Sequence, residues 1–288
     1  MNITLLTFGE KVETHSQANL AILSLLNDPH HFNKIIVVTD NAKLYTKLLA
    51  HPQIVIEEIA NDTLKDWLGR YSFFWRIKIK ALELVVNKYT DAPIMYLDSD
   101  TVLKGSLAEL KSMLDAGHHF MHLNEGYLCK AKTKTEKLMW KQVAGKTFGG
   151  VTISTQHCMW NAGVVGIPRQ TAKQTISQAL QICDDMCAAN VTRRLIEQFA
   201  FSVALSETNM LKPADRYFAH YWSNKSEWNL FANLFFAETQ LLGLGIEESI
   251  ENLESRRADF PPIKVKISST KAKLNRLLDN IFERRILD

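Results

Sequence analysis

The hydrophobic pattern of the first hundred residues switches repeatedly between two periods. Short apolar runs rich in β-branched residues alternate with longer stretches whose apolar positions recur every three or four residues. Ile3 to Phe8 reads as a buried strand closed by Gly9. Ser16 caps a helix to about Leu26, where Asn27-Asp28-Pro29 ends it. Lys34 to Asp40 is a second strand, Ala42 to Ala50 a short helix, and Ile54 to Ile59 a third strand. Phe73 to Val86 is a helix with a thick apolar face. Pro93 to Leu97 is a fourth strand, running into Asp98-Ser99-Asp100. This βαβαβαβ order predicts parallel strands joined by right-handed helical crossovers. Such sheets bind ligands beyond the carboxyl ends of their strands, and Gly9, Asp40 and Asp98 to Asp100 all fall there.

The remainder is less regular. Ser106 to Leu114 predicts a helix and His119 to Leu123 a strand. Residues 126–156 are rich in Lys, Thr and Gly and lack a period, which predicts a long connection serving as a mobile lid. Trp160 to Ile167 predicts a strand closed by Pro168. Helices are predicted over Gln170 to Ala189, Thr192 to Leu205 and Ser226 to Leu242. The tail from Ile246 to Asp288 is charged and helical, broken at Pro261-Pro262. Within it Leu274, Leu277, Leu278, Ile281 and Phe282 follow an amphipathic-helix template over 271–287. Packing on its own chain, on a second subunit, or on an anionic membrane are all open to that segment. The expected division is a catalytic unit, 1–235, and a helical extension, 236–288.

Composition narrows the classes. At 288 residues, 46% apolar and 23% charged, the chain has the make-up of a globular protein with a sizeable core. Its net charge of 34 − 31 = +3 is too small to gather nucleic acid by field alone, so no nucleic-acid partner is expected. No apolar run approaches the roughly 18 residues that span a bilayer, and no signal-peptide pattern precedes the first strand. A soluble cytoplasmic protein is the expectation. Cys183 and Cys187, four apart in a predicted helix, read as buried thiols. A dinucleotide-binding glycine fingerprint and a phosphate-binding P-loop are both missing from the sequence.

The sharpest chemical signal is Asp98-Ser99-Asp100. Strand alternation puts its two carboxylates on one side of the chain. Hard oxygens at a strand end suit Mg²⁺ or Mn²⁺ bridging to phosphates. Asn161-Ala162-Gly163-Val164-Val165-Gly166 opens a later strand with a small amide and glycines that admit close approach of a ligand. Asn161 is placed to hydrogen-bond sugar hydroxyls. Glu197-Gln198 sits in an amphipathic helix. His220 offers a neutral imidazole as a third metal ligand, and Lys225 a cation for a diphosphate. Tyr221, Trp222 and Trp228 offer rings for stacking or packing.

On Tyr96-Leu97-Asp98-Ser99-Asp100, Asn161 to Gly166, Glu197-Gln198, and His220 with Lys225, the chain resembles nucleotide-sugar-dependent glycosyltransferases of the GT-A fold, distantly the glycogenin-like members. The resemblance covers roughly residues 1–230. It implies an α/β, Rossmann-like mixed sheet flanked by helices, here with a helical C-terminal tail. It implies transfer of a sugar from a nucleoside-diphosphate donor, UDP-linked in the first instance, to a glycan or glycolipid hydroxyl. Asp98, Asp100 and His220 would hold Mn²⁺ or Mg²⁺, and Lys225 would touch phosphate. Asn161, Gly163, Glu197 and Gln198 would line the sugar pocket, with Asp100, Glu197 and Gln198 closest to the chemistry. Thr7, Phe8 and Asp40 would meet the nucleoside, and Lys78 and Ser99 would complete the donor site. Glycogenin-like members carry Asp-Gln-Asp where this chain has Glu197-Gln198-Phe199, which leaves retention and inversion of the anomeric centre both open. Two other classes compete. Asp98 to Leu103 also fits the nucleophile motif of a haloacid-dehalogenase phosphatase, with Asp184-Asp185 as the late acidic pair. A non-catalytic sugar-binding protein on the same fold is the other.

Overall fold

The computed structural model describes residues 1–264. The amphipathic helix predicted for 271–287 therefore lies outside the described residues. In chain order, β1 (Asn2–Thr7) leads to α1 (Val12–Leu26), and β2 (Lys34–Thr39) to β3 (Ile54–Glu58). The helix expected over 42–50 is instead two short 3-10 turns, Ala42–Tyr45 and Leu48–Ala50. A short helix the hydrophobic pattern did not announce, α2 (Asn61–Trp67), precedes α3 (Arg76–Lys88). Then come β4 (Ile94–Leu97), the three-residue β5 (Thr101–Leu103) and α4 (Leu107–Asp115), whose Ser106 hydroxyl accepts from the Ala108 N–H as an N-cap.

The connection 126–156 is the main departure from expectation. After β6 (His119–Met121) the chain forms β7 (Asn124–Tyr127), α5 (Lys134–Val143), β8 (Thr147–Phe148) and β9 (Val151–Thr152). Leu128, Met139, Val143, Phe148 and Ile153 are buried in the main core, so this is a packed layer and not a lid. Thr133 and Glu136 form a capping box that starts α5. The strand expected over 160–167 is two, β10 (Cys158–Trp160), paired with β7, and β11 (Val164–Ile167). The chain closes with α6 (Ala172–Ala188), α7 (Ile196–Ser206), β12 (Leu211–Pro213), β13 (Phe218–His220), α8 (Lys225–Leu241) and α9 (Ile246–Ser255). No helix among the described residues is long and apolar enough to cross a membrane.

Seven strands form one sheet in the order β12-β6-β11-β4-β1-β2-β3. The β3-β2-β1-β4 half is parallel, as the alternation of elements predicts. β11 runs antiparallel to both β4 and β6, making the sheet mixed. Alternation along β2 sends Ile36 and Val38 into one apolar core and Ile35 and Val37 into the other. Each such buried side chain contributes about 1.5–3 kcal/mol.

Topology then delivers the site. The parallel strands end together, so Thr7, Thr39 and Leu97 share one edge of the sheet. Because β11 is antiparallel, its first residue, Val164, pairs with Leu97, and Asn161 to Gly163 arrive at that same edge. β13 runs antiparallel to β5 with His220 opposite Thr101, which sets the imidazole beside Asp100. The first turns of α3, α7 and α8 carry Lys78, Glu197 and Lys225 to the same place.

Candidate active site

A cleft of about 560 Å³ opens at this edge. Thr7, Phe8, Lys78, Asp98, Ser99, Asp100, Asn161, Gly163, Glu197, Gln198, His220 and Lys225 all line it. Asp40 does not. Its carboxylate accepts from the Gly9 N–H at 3.0 Å through both oxygens and so holds the turn after β1 rather than facing the cleft. Gly9 stands at φ +81°, which the turn requires and which a side chain would resist.

Three ligand atoms converge. One atom each from Asp98, Asp100 and His220 lie within 4.8 Å of one another. Nε2 of His220 stands 3.4 Å from Oδ1 of Asp100 and 3.8 Å from Oδ2 of Asp98. Oδ2 of Asp100 is buried and has Lys225 Nζ at 2.8 Å, yet that ammonium is not aligned for a hydrogen bond. A buried carboxylate oxygen with only an ion-pair neighbour retains lone pairs for a cation, and two carboxylates with one imidazole are a donor set that divalent ions accept. The residues therefore fit a divalent cation. Burial alone would raise the Asp100 carboxyl, but His220 and Lys225 outweigh it and hold it well below the usual carboxylate range.

The opposite bank is knit differently. Lys78 Nζ donates to the Ala162 carbonyl at 2.8 Å and pairs with Glu197 at 3.0 Å and Asp98 Oδ1 at 3.1 Å. It also lies 4.7 Å above the Tyr96 ring, whose hydroxyl donates to Asp98 Oδ1 at 2.8 Å. Burial works against the Lys78 ammonium, but Asp98 and Glu197 together raise it above its ordinary value. Burial raises Glu197, with Lys78 opposing. Gln198 donates to Glu125 Oε2 at 2.8 Å, and Asn161 Nδ2 approaches Glu125 Oε1 at 3.4 Å. Gly163 is obligatory: a Cβ there would meet the His220 ring at 2.1 Å.

Several lining residues escaped the sequence reading. Glu125 is the foremost, because its two-faced role needs β7, a strand too short to show a period. Gln17 accepts from the Ser99 hydroxyl at 3.4 Å and braces the acidic turn. Phe74, Trp75 and Trp222 are large, half-exposed rings around the mouth. Phe74 packs on Phe8 at 5.4 Å between centroids. Of the three late aromatics, only Trp222 reaches the cleft; Tyr221 and Trp228 stack on each other at 4.4 Å in the core. Asp184 and Asp185 lie away from the cleft, engaged by Arg76 and by the Gly149 N–H.

No family description and no curated protein matches the sequence. Solved structures do match the fold. Mouse xyloside xylosyltransferase 1 superposes on 74% of this chain and 85% of its own, with a TM-score of 0.50 and 14% identity. An active-site mutant of LgtC covers 73% of this chain and 71% of its own, at TM-score 0.49 and 13% identity. The glycosyltransferase GlyE of Streptococcus pneumoniae covers 92% and 66%, at 0.48 and 14%. The mixed sheet, its flanking helices and the first of these likenesses define a Rossmann-like α/β chain with the GT-A glycosyltransferase fold.

Proposed function

We propose that the protein is a metal-dependent glycosyltransferase that moves a sugar from a nucleoside diphosphate, UDP in the first instance, to a hydroxyl of a glycan or lipid-linked acceptor. The observation that carries this reading is the convergence of Asp98, Asp100 and His220 at the carboxyl edge of a GT-A sheet, with Lys225 beside them. Mn²⁺ or Mg²⁺ bound by these three side chains would supply positive charge to the donor's diphosphate.

The chain's own residues then divide the work. Thr7 and Phe8 receive the nucleoside, with Phe74 backing the Phe8 ring. Lys225, half exposed and tethered to Asp100, swings its ammonium toward the leaving phosphate and offsets the charge that develops there. Glu197 and Gln198 face the sugar from the other bank. Lys78 pairs with Glu197 at 3.0 Å and fixes it, so that carboxyl group is in place to stabilise positive charge at the anomeric carbon or to accept the acceptor's proton. Residues 1–235 form the catalytic unit and 236–288 the extension, which in a cytoplasmic enzyme would bring the site to a membrane-held acceptor. Co-sedimentation of the full chain with anionic vesicles, compared with a variant in which Lys271, Lys273, Arg284 and Arg285 are Ser, checks that last point.

The late acidic pair that the phosphatase reading needs, Asp184 and Asp185, does not line the cleft: Asp184 is held by Arg76 and Asp185 by the Gly149 N–H. A thermal-shift panel of nucleotide sugars with and without Mn²⁺ tests the main reading. Stabilisation by one donor, only when Mn²⁺ is present, is the expected result. Donor hydrolysis by the same sample separates an enzyme from a binding protein. A chain that no nucleotide sugar stabilises under either condition is not this enzyme.

A further inference from the structure

Both ends of the Asn161 side chain are engaged by protein groups. Its Oδ1 lies 3.0 Å from the Gly163 backbone N–H. An N–H only donates, so the atom facing it is the amide oxygen. That same oxygen lies 3.0 Å from Nδ1 of His220, so Nδ1 carries a proton. The amide nitrogen is then turned toward Glu125, a carboxylate that accepts, at 3.4 Å. Glu125 is itself held from its other oxygen by Gln198 at 2.8 Å. The orientation of the Asn161 amide is thus fixed from both sides.

The consequence falls on His220. A neutral imidazole protonated at Nδ1 has its lone pair on Nε2, the nitrogen that faces Asp100 and Asp98. Without an acceptor at Nδ1 the preference reverses. Two carboxylates stand near Nε2, and they would draw the proton there, closing the lone pair to a metal ion. The ring has little freedom to escape this choice, since Gly163 lies against it with no room for a Cβ and His122 packs edge-on at 5.3 Å.

We propose that Asn161 is a positioning residue for His220: it holds the ring in the tautomer whose Nε2 faces the divalent cation, and Glu125 orients the Asn161 amide for that task. This rests on the metal site proposed above. It changes the expectation that Asn161 chiefly binds sugar hydroxyls, because its oxygen already accepts from two donors.

The test uses the full chain and two readouts. Long-range ¹⁵N spectra of His-labelled, metal-free protein, at a pH where the ring is neutral, report the tautomer directly. Electron paramagnetic resonance of free Mn²⁺ reports affinity. Wild type should show the Nδ1–H form. Asn161→Ala should move the proton to Nε2 and weaken Mn²⁺ binding by about 10–100-fold, the usual cost of losing such an outer hydrogen bond. Asn161→Asp keeps an acceptor for both donors and should keep the tautomer and most of the affinity. A wild-type ring protonated at Nε2 overturns the proposal, even if Asn161→Ala fails to fold. So does an Asn161→Ala that keeps both tautomer and affinity, or equal loss of affinity in the Ala and Asp variants with the tautomer unchanged. His220→Ala separates the two levels: if it binds Mn²⁺ as wild type does, the metal site itself is wrong, whereas the tautomer measured without metal still judges Asn161.

Discussion

The two banks of the cleft use the same kinds of side chain to opposite ends. On one bank Asp98, Asp100 and His220 point donor atoms at a common spot, and the nearest cation, Lys225, is 47% exposed. On the other, the cation is Lys78, 8% exposed, clamped by two carboxylates and a carbonyl. The cation of the first bank is free to turn to solvent, while that of the second is buried among its partners. Asp98 belongs to both, with Oδ1 on Lys78 and Tyr96 and Oδ2 turned toward His220. The lesson is that charge alone does not mark a binding position; what marks it is charge whose partners are movable.

Three substitutions test that contrast. The largest expected effect is on stability, at Lys78. Lys78→Met strands Glu197 and one oxygen of Asp98 against low-dielectric surroundings, and removing one partner of a buried pair costs about 3–5 kcal/mol. Urea unfolding should show the loss, and adding Glu197→Gln should restore part of it. Equal stability of Lys78→Met and wild type would mean that the second bank is solvated after all.

Asp100→Asn should reverse the balance, costing turnover more than stability. Its one cationic neighbour there is Lys225, whose half-exposed ammonium can turn to solvent, so little charge is stranded. Turnover should fall by roughly 10²-fold, the scale for losing one stabiliser of developing charge. A variant that loses stability while keeping turnover would remove the distinction between the banks.

Gly163→Ala attacks the seam between them. The new Cβ would meet the His220 ring at about 2 Å, and overpacking of this kind typically costs about 1–3 kcal/mol. Mn²⁺ affinity should fall with it, since His220 must move. Retained affinity would show that the ring has room that the close packing denies.

How far this site was legible in the sequence follows from element length. β1, β2 and β4 are runs of four to six largely buried residues between turn signals, so their ends, and Asp98 to Asp100 with them, could be placed by pattern alone. Glu125 could not. It lies on a four-residue strand whose partner is three residues long, and only two-residue strands follow before that partner, so no strand period accumulates there. The Thr133 to Glu136 capping box was readable and would have announced α5. Gly163 was singled out for permitting close approach, and the group that approaches is His220, 57 positions later, which only the register of β13 on β5 explains.

The smallest expected effect is a difference in sign between two carboxylates on the opposite banks. Asp100 is held below the ordinary carboxylate range, because His220 and Lys225 outweigh the burial that would raise it. The unfolded chain then binds its proton more tightly, so Asp100 stabilises the fold above about pH 3.9, its unfolded value, and that contribution is lost as pH falls. Glu125 is raised, chiefly by desolvation between the cleft walls, with the Asn161 and Gln198 amides opposing. Here the folded state binds the proton more tightly. Stability is therefore gained as pH falls through the raised value and lost as pH rises above about 4.3, the unfolded value. Asp100→Asn should flatten the acid loss below the ordinary carboxylate range, whereas Glu125→Gln should make stability climb more steeply with pH just above it. Glu125 is open to the cleft, so its share is the lesser of the two. Urea midpoints collected from about pH 2 to pH 7 would resolve the two slopes, and a change of the same sign in both variants would contradict the opposite directions in which Asp100 and Glu125 are shifted.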